Sequence, residues 1–207
     1  MKQYLLVFIM FVSLQAQADS FFAEPECNSF YSGVGLQIVQ SRIDTIDRRE
    51  EDDKGWNPGT RVFAGFAVTP NVALELGAFW FDELRYEGQD ATGQYELTFE
   101  RYDIYLGPVV QFKPRRFIPI RLMAAVTRSH ITMEVKESFW GLSPSGKVTE
   151  KDSVTGAHVS VGVLPFQRRR YSGVVSIDYI YRPDFFDNSS RPFTSEEIGI
   201  GFRMAFH

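Results

Sequence analysis

The chain has 207 residues, 44% apolar, 23% charged and 15% aromatic, with formal net charge −4. This suits one domain with a sizeable core and excludes a disordered chain, which would be poor in aromatics. The mild acidity gives no clustered basic face, so no nucleic-acid partner is expected. A single cysteine, Cys27, excludes a disulfide scaffold and a multi-thiolate metal site, and no metal or cofactor is expected.

Residues 1–18 carry one charge, Lys2, then an apolar run from Tyr4 to Leu14 and a small-x-small end at Ala16-Gln17-Ala18. These are the regions of a secretory signal peptide, and the run is too short to span a bilayer. Residues 19–29 read as a short periplasmic segment and 30–207 as the folded domain. Glu24-Pro25-Glu26-Cys27 lacks the residues of a lipoprotein site, so no lipid anchor is expected.

From there the hydrophobic period is two, which predicts strands. Eight are expected, at 30–44, 59–69, 71–84, 94–112, 116–135, 153–166, 170–183 and 194–206. One face of each is apolar and uncharged. Examples are Val62-x-Ala64-x-Phe66, Leu74-x-Leu76-x-Ala78-x-Trp80, Tyr102-x-Ile104-x-Leu106, Ile118-x-Ile120-x-Leu122, Val159-x-Val161-x-Val163 and Ile198-x-Ile200-x-Phe202. The opposite face is rich in glycine and carries charge. A soluble sandwich would bury the apolar face and leave glycines outside. The reverse arrangement, with apolar residues toward hydrocarbon and small or polar ones in a narrow lumen, predicts an all-β fold. It is an eight-stranded antiparallel up-and-down transmembrane β-barrel, since only closure satisfies every backbone group in lipid.

Link lengths agree. Thr69-Pro70-Asn71, 113–116 and 167–170 are short, whereas 45–58, 84–93, 136–152 and 183–193 are long. Short periplasmic turns alternating with long external loops is the outer-membrane pattern. Phe112, Phe166 and Phe206 fall at the short-turn ends and Trp80, Tyr102, Tyr179 and Tyr181 toward the long loops, where aromatic rings mark the interfaces.

Three pieces carry a resemblance. They are Val62-Phe63-Ala64-Gly65-Phe66 running through Pro70-Asn71 to Ala73-Leu74-Glu75-Leu76-Gly77, then Ser176-Ile177-Asp178-Tyr179, and the ending Gly199-Ile200-Gly201-Phe202-Arg203-Met204-Ala205-Phe206. With these the chain resembles the small eight-stranded outer-membrane proteins typified by the OmpA N-terminal domain and OmpX. The resemblance implies a cell outer membrane location and contact with outer-membrane lipids and lipopolysaccharide. It also implies reading of the C-terminal strand by the outer-membrane assembly machinery, although here Phe206 is penultimate and His207 follows. An inward Glu75, an inward acid beside Tyr179 and an inward Arg203 match that family's lumen pattern.

The expected lumen charges are Glu75, Asp103 and Asp178 against Arg101, Arg121 and Arg203. Balanced charges in so narrow an interior should pair and plug it, with Glu75 bracketed by Arg121 and Arg203. His158-Val159-Ser160 partly matches the His-x-Ser-Asn motif of barrel lipid A deacylases, but Val161 stands in the Asn position and alternation turns His158 and Ser160 into the lumen. His130 reads as a solvated residue at a loop edge. Trp56, Trp140, Phe185 and Phe186 fall in external loops, where they form contact surfaces or pack among the loops. The function expected is therefore non-enzymatic: surface interaction, adhesion or envelope integrity, with a host or surface ligand at loops 45–58 and 136–152. A lipid A-modifying enzyme and a narrow solute channel are the alternatives.

Overall fold

A computed structural model describes residues 29–44, 56–89, 93–112, 118–139, 146–167, 171–186 and 193–206. The expected signal peptide, Cys27, most of loop 45–58, the turns 113–116 and 168–170, Trp140 and His207 lie outside the described residues. Nine strands follow in order: β1 (Ser29–Asp44), β2 (Trp56–Thr69), β3 (Val72–Phe81), β4 (Leu84–Gln89), β5 (Gly93–Phe112), β6 (Ile120–Phe139), β7 (Gly146–Gln167), β8 (Tyr171–Phe185) and β9 (Phe193–Phe206). All pairings are antiparallel between chain neighbours, β1 pairs with β9, and β3 and β4 both pair with β5. β3 and β4 thus share one position, and the sheet closes as an eight-stranded barrel.

Alternation puts the expected apolar faces outward. Leu36 is 65% exposed, Leu106 50%, Val126 62% and Ile198 59%, on strands all around the barrel. That surface is stable only against hydrocarbon. Inside, the wall is not only small and polar, as the sequence suggested. Phe63, Phe79, Tyr105 and Met123 are buried there, and rings sit over inward glycines: Phe63 covers Gly33, Tyr31 covers Gly65 and Tyr105 covers Gly77. The glycines make room for rings from neighbouring strands.

Several expected loops are strand instead. The 84–93 loop is mostly the β4–β5 hairpin, with Leu84 opposite Phe99 and Gln89 opposite Gln94. Five residues, Trp80 to Leu84, stand against four, Tyr102 to Phe99, a bulge at Asp82-Glu83. The bulge flips the alternation, so Phe79 and then Leu84 both point inward. The 136–152 loop is likewise strand at both ends, β6 reaching Phe139 and β7 starting at Gly146. Trp56 is the first residue of β2 and 59% exposed, whereas Phe185 and Phe186 are 1% and 6% exposed, packed with Leu84, Phe99, Ile131 and Met133. For that pair packing is the observed role, and they close the hairpin end of the interior.

Candidate functional site

The barrel interior is a stack of ionic and aromatic layers, because each inward position of each strand meets others of equal depth across a lumen only side chains wide. Nearer the β2–β3 turn, Glu75 of β3 is the centre. It contacts Arg121 of β6, with Arg61 Nη2 at 3.5 Å and Arg203 Nη1 at 3.7 Å. Tyr31 donates to its Oε2 at 3.0 Å and Tyr105 to its Oε1 at 2.9 Å. Arg61 Nε in turn donates to the Tyr105 hydroxyl at 2.8 Å. Asp178 forms the second node, with Arg203 Nη2 at 3.0 Å, Arg61 Nη1 at 3.5 Å, His158 Nε2 at 2.8 Å and the Ser176 hydroxyl donating at 2.7 Å.

Toward the hairpin end lies a second cluster. Arg182 Nη2 sits 2.5 Å from Asp103 Oδ2 and its Nη1 3.0 Å from Glu197 Oε2, while Arg101 contacts Glu197. Ser129 accepts from Arg182 Nε at 2.9 Å, and Ser41 donates to Glu197 at 2.8 Å. Between the clusters, Phe79 and Phe81 stack at 5.8 Å. Arg61 lies over Phe79 at 4.4 Å from one side, and Arg101 lies over Phe81 at 4.7 Å from the other. Each cation thus gains a π face where water is excluded.

The six residues expected in the lumen all point inward, but the structure divides them. Glu75, Arg121, Asp178 and Arg203 share the lower cluster, and Arg101 and Asp103 belong to the upper. Sequence reasoning missed Arg61, Arg182 and Glu197. The signal was present: Arg61 shares parity with Gly65, Arg182 with Asp178, and Glu197 with Gly199. His158 and Ser160 are 0% and 3% exposed inside the barrel, and Ser160 accepts from Arg203 Nη2 at 2.5 Å. His158 thus meets Asp178 and Ser160 meets Arg203, so both side chains brace the ion pairs of the lower cluster.

His130 is half-buried on the outer face of β6, not at a loop edge. Its ring stacks on Tyr102 at 4.6 Å, and its Nδ1 lies 2.7 Å from the Ser153 hydroxyl. Farther out on β6, Lys147 and Lys136 hold the Glu134 carboxyl below the usual carboxylate range, chiefly through the Lys147 hydrogen bond. Among the described residues no group of three or more metal-ligating side chains occurs.

An all-β closed barrel with an apolar exterior and an ion-paired interior defines an integral outer-membrane barrel protein. The family model for the outer membrane protein beta-barrel domain matches residues 4–206, and the chain belongs to that family. Its structure is similar to that of Ail, the attachment invasion locus protein of Yersinia pestis: TM-score 0.55, 13% identity, 87% of this chain and 100% of that one. Ail in complex with the heparin analogue sucrose octasulfate matches with TM-score 0.53, 12% identity, 86% and 99% coverage. Neisserial surface protein A matches with TM-score 0.50, 15% identity, 84% and 95% coverage. At these identities the likeness shows the fold alone. No curated protein sequence matches the chain.

Proposed function

We propose that this is a non-enzymatic outer-membrane protein whose barrel is a plugged anchor and whose hairpin end faces outward as a surface-interaction module. In this reading residues 1–18 are the export signal, and 19–29 lie in the periplasm. The observation that carries it is the asymmetry of the hairpin end. β7 pairs with β8 only from Ala157 onward, yet β6 and β7 stay paired up to Glu137 and Gly146. The eleven residues from Gly146 to Gly156 extend about 34 Å along the strand and, among the described residues, pair on one side only. Residues 146–151 are exposed on both faces. Among the described residues this second edge of β7 meets no strand, and such an edge is a template for strand addition by a partner.

The interior supports the anchor half of the reading. Glu75, Arg182 and Arg203 are 0–1% exposed, and paired charges fill two successive levels. Ail is named as an attachment protein, and surface attachment comes to this chain only as part of our reading. The test uses bacteria expressing the full chain or a version with 138–147 replaced by a two-residue turn. Adherence to epithelial cells and matrix-coated surfaces should fall at least five-fold with the shortened chain still folded. Equal adherence contradicts the module. Equal adherence together with detergent sensitivity on loss of the whole protein would favour envelope integrity instead.

A further inference from the structure

Outside the lumen, the charged residues of the barrel exterior are not spread evenly. On β6 the outward series runs Leu122, Ala124, Val126 and then Arg128, His130 and Thr132. On β7 it runs Val161, Val159, Ala157 and then Thr155, Ser153 and Lys151, in register with Arg128, His130 and Thr132 respectively. The apolar band on these strands therefore ends between Val126 and Arg128, and the next three rows carry Arg128, His130 and Lys151 in turn. One row down, on the neighbouring strands β8 and β9, Tyr181 stands opposite Glu196, so the positive face is local to β6 and β7.

Over the upper two rows lies a depression of about 430 Å³, lined by Tyr102, His130, Ile131, Thr132, Lys151, Asp152 and Ser153, with Arg128 one row below. Its parts are fixed. Arg128 Nη1 donates to Thr155 at 3.0 Å, and Tyr102 and Ser153 hold the imidazole in plane and in rotation. Ser153 thus takes the Nδ1 side of the ring, and Nε2 is the nitrogen left to meet a ligand. Asp152 also lines the depression, its oxygens accepting from the Ser153 and Phe186 backbone N–H groups at 2.6 and 2.5 Å. Glu134 is occupied by Lys136 and Lys147, which leaves Glu100, opposite Thr132, as the nearest outward acid in register.

We propose that Arg128, His130 and Lys151 are the headgroup site for a phosphorylated glycolipid of the outer leaflet, whose acyl chains lie along Ile104, Val126 and Val159. The ligand class follows from the juxtaposition. A cationic ledge at headgroup depth above an uninterrupted apolar lane fits an amphiphile with phosphate at the head and hydrocarbon below. The assignment to the outer leaflet rests on the hairpin end facing outward. Binding measured in detergent does not depend on orientation, so its failure would refute the site and leave the topology standing.

The test is native mass spectrometry of the folded protein in mixed micelles with lipid A as the probe. The parent should retain one lipid A per chain. Arg128→Ala with Lys151→Ala should bind roughly ten- to thirty-fold more weakly, the loss expected for two headgroup-level cations. His130→Phe, which keeps the stack on Tyr102, should lose a few-fold, and Arg85→Ala, an exposed cation of β4, should behave as the parent. Lipid A stripped of its phosphates should bind the parent as weakly as intact lipid A binds the double variant. Equal retention by parent and double variant would overturn the proposal. So would equal retention of phosphate-free lipid A or of phosphatidylglycerol, or an equal loss on Arg85→Ala.

Discussion

Arg182 of β8 and Asp103 of β5, 79 residues apart, form a two-point ion pair across the barrel, Nη2 to Oδ2 at 2.5 Å and Nε to Oδ1 at 3.3 Å. β6 and β7 lie between their strands in the sheet, so the contact spans the lumen rather than running along the wall. Because Arg182 also reaches Glu197, it is the cation that lets two buried acids coexist. Arg182→Met should therefore destabilise the barrel by roughly 3–5 kcal/mol, the cost of an orphaned buried charge. Adding Asp103→Asn and Glu197→Gln should recover part of it. Urea unfolding in lipid vesicles reads both. A single variant as stable as the parent would mean that water already solvates these acids.

Glu75 has the corresponding role in the lower cluster, where Arg61, Arg121 and Arg203 converge on one carboxylate. Glu75→Ala removes that partner and leaves mutually repelling guanidiniums, with an expected loss of about 3–5 kcal/mol. Glu75→Ala with Arg121→Ala should be more stable than Glu75→Ala alone. The melting temperature in detergent separates the two, and matching melts for parent, single and double variants would show these charges to be independent.

The outer face offers a sharper contrast. Leu106→Arg places a charge in the middle of the apolar band and should cost about 2–4 kcal/mol. Gln111→Arg, on the inward parity of the same strand, should cost less. Folding yield into vesicles and subsequent urea titration measure the difference. Equal tolerance would contradict the assignment of faces.

Gly77 links the backbone to the ionic layer. A Cβ there would collide with the Tyr105 ring, whose hydroxyl joins Arg61 to Glu75. Gly77→Val should cost roughly 2–4 kcal/mol through overpacking and the broken hydrogen bonds. Adding Tyr105→Ala should relieve the clash and return part of the loss. Gly146→Val, where a Cβ meets nothing within 4 Å, should be near neutral. Thermal melts of the three variants would show the order, and a Gly77→Val protein as stable as Gly146→Val would contradict it.

Period-two alternation made the outer face legible residue by residue, since burial in hydrocarbon tolerates no exception between Leu106 and Ile104 or between Ile198 and Ile200. The lumen was legible in parity but not in partnership. Nothing in spacing says that Arg101 meets Glu197 rather than Asp178, because that depends on which strands face each other across the closed barrel. The β4 strand stayed hidden because Arg85 and Glu87 read as a solvated loop and the bulge at Asp82-Glu83 breaks the alternation. Gly146-Lys147-Val148-Thr149-Glu150-Lys151 stayed hidden because this stretch of β7 is exposed on both faces, so its sequence carries no apolar period to detect.

Cysteine labelling on intact cells tests the central claim, a barrel anchor presenting its hairpin end outside, most directly. In a Cys27→Ser background, Thr149→Cys lies on the extended edge of β7 and Asn71→Cys in the short β2–β3 turn, both exposed. A membrane-impermeant maleimide should label Thr149→Cys fully on whole cells and Asn71→Cys only after permeabilisation. Labelling of Asn71→Cys on whole cells, with Thr149→Cys protected, would contradict the account.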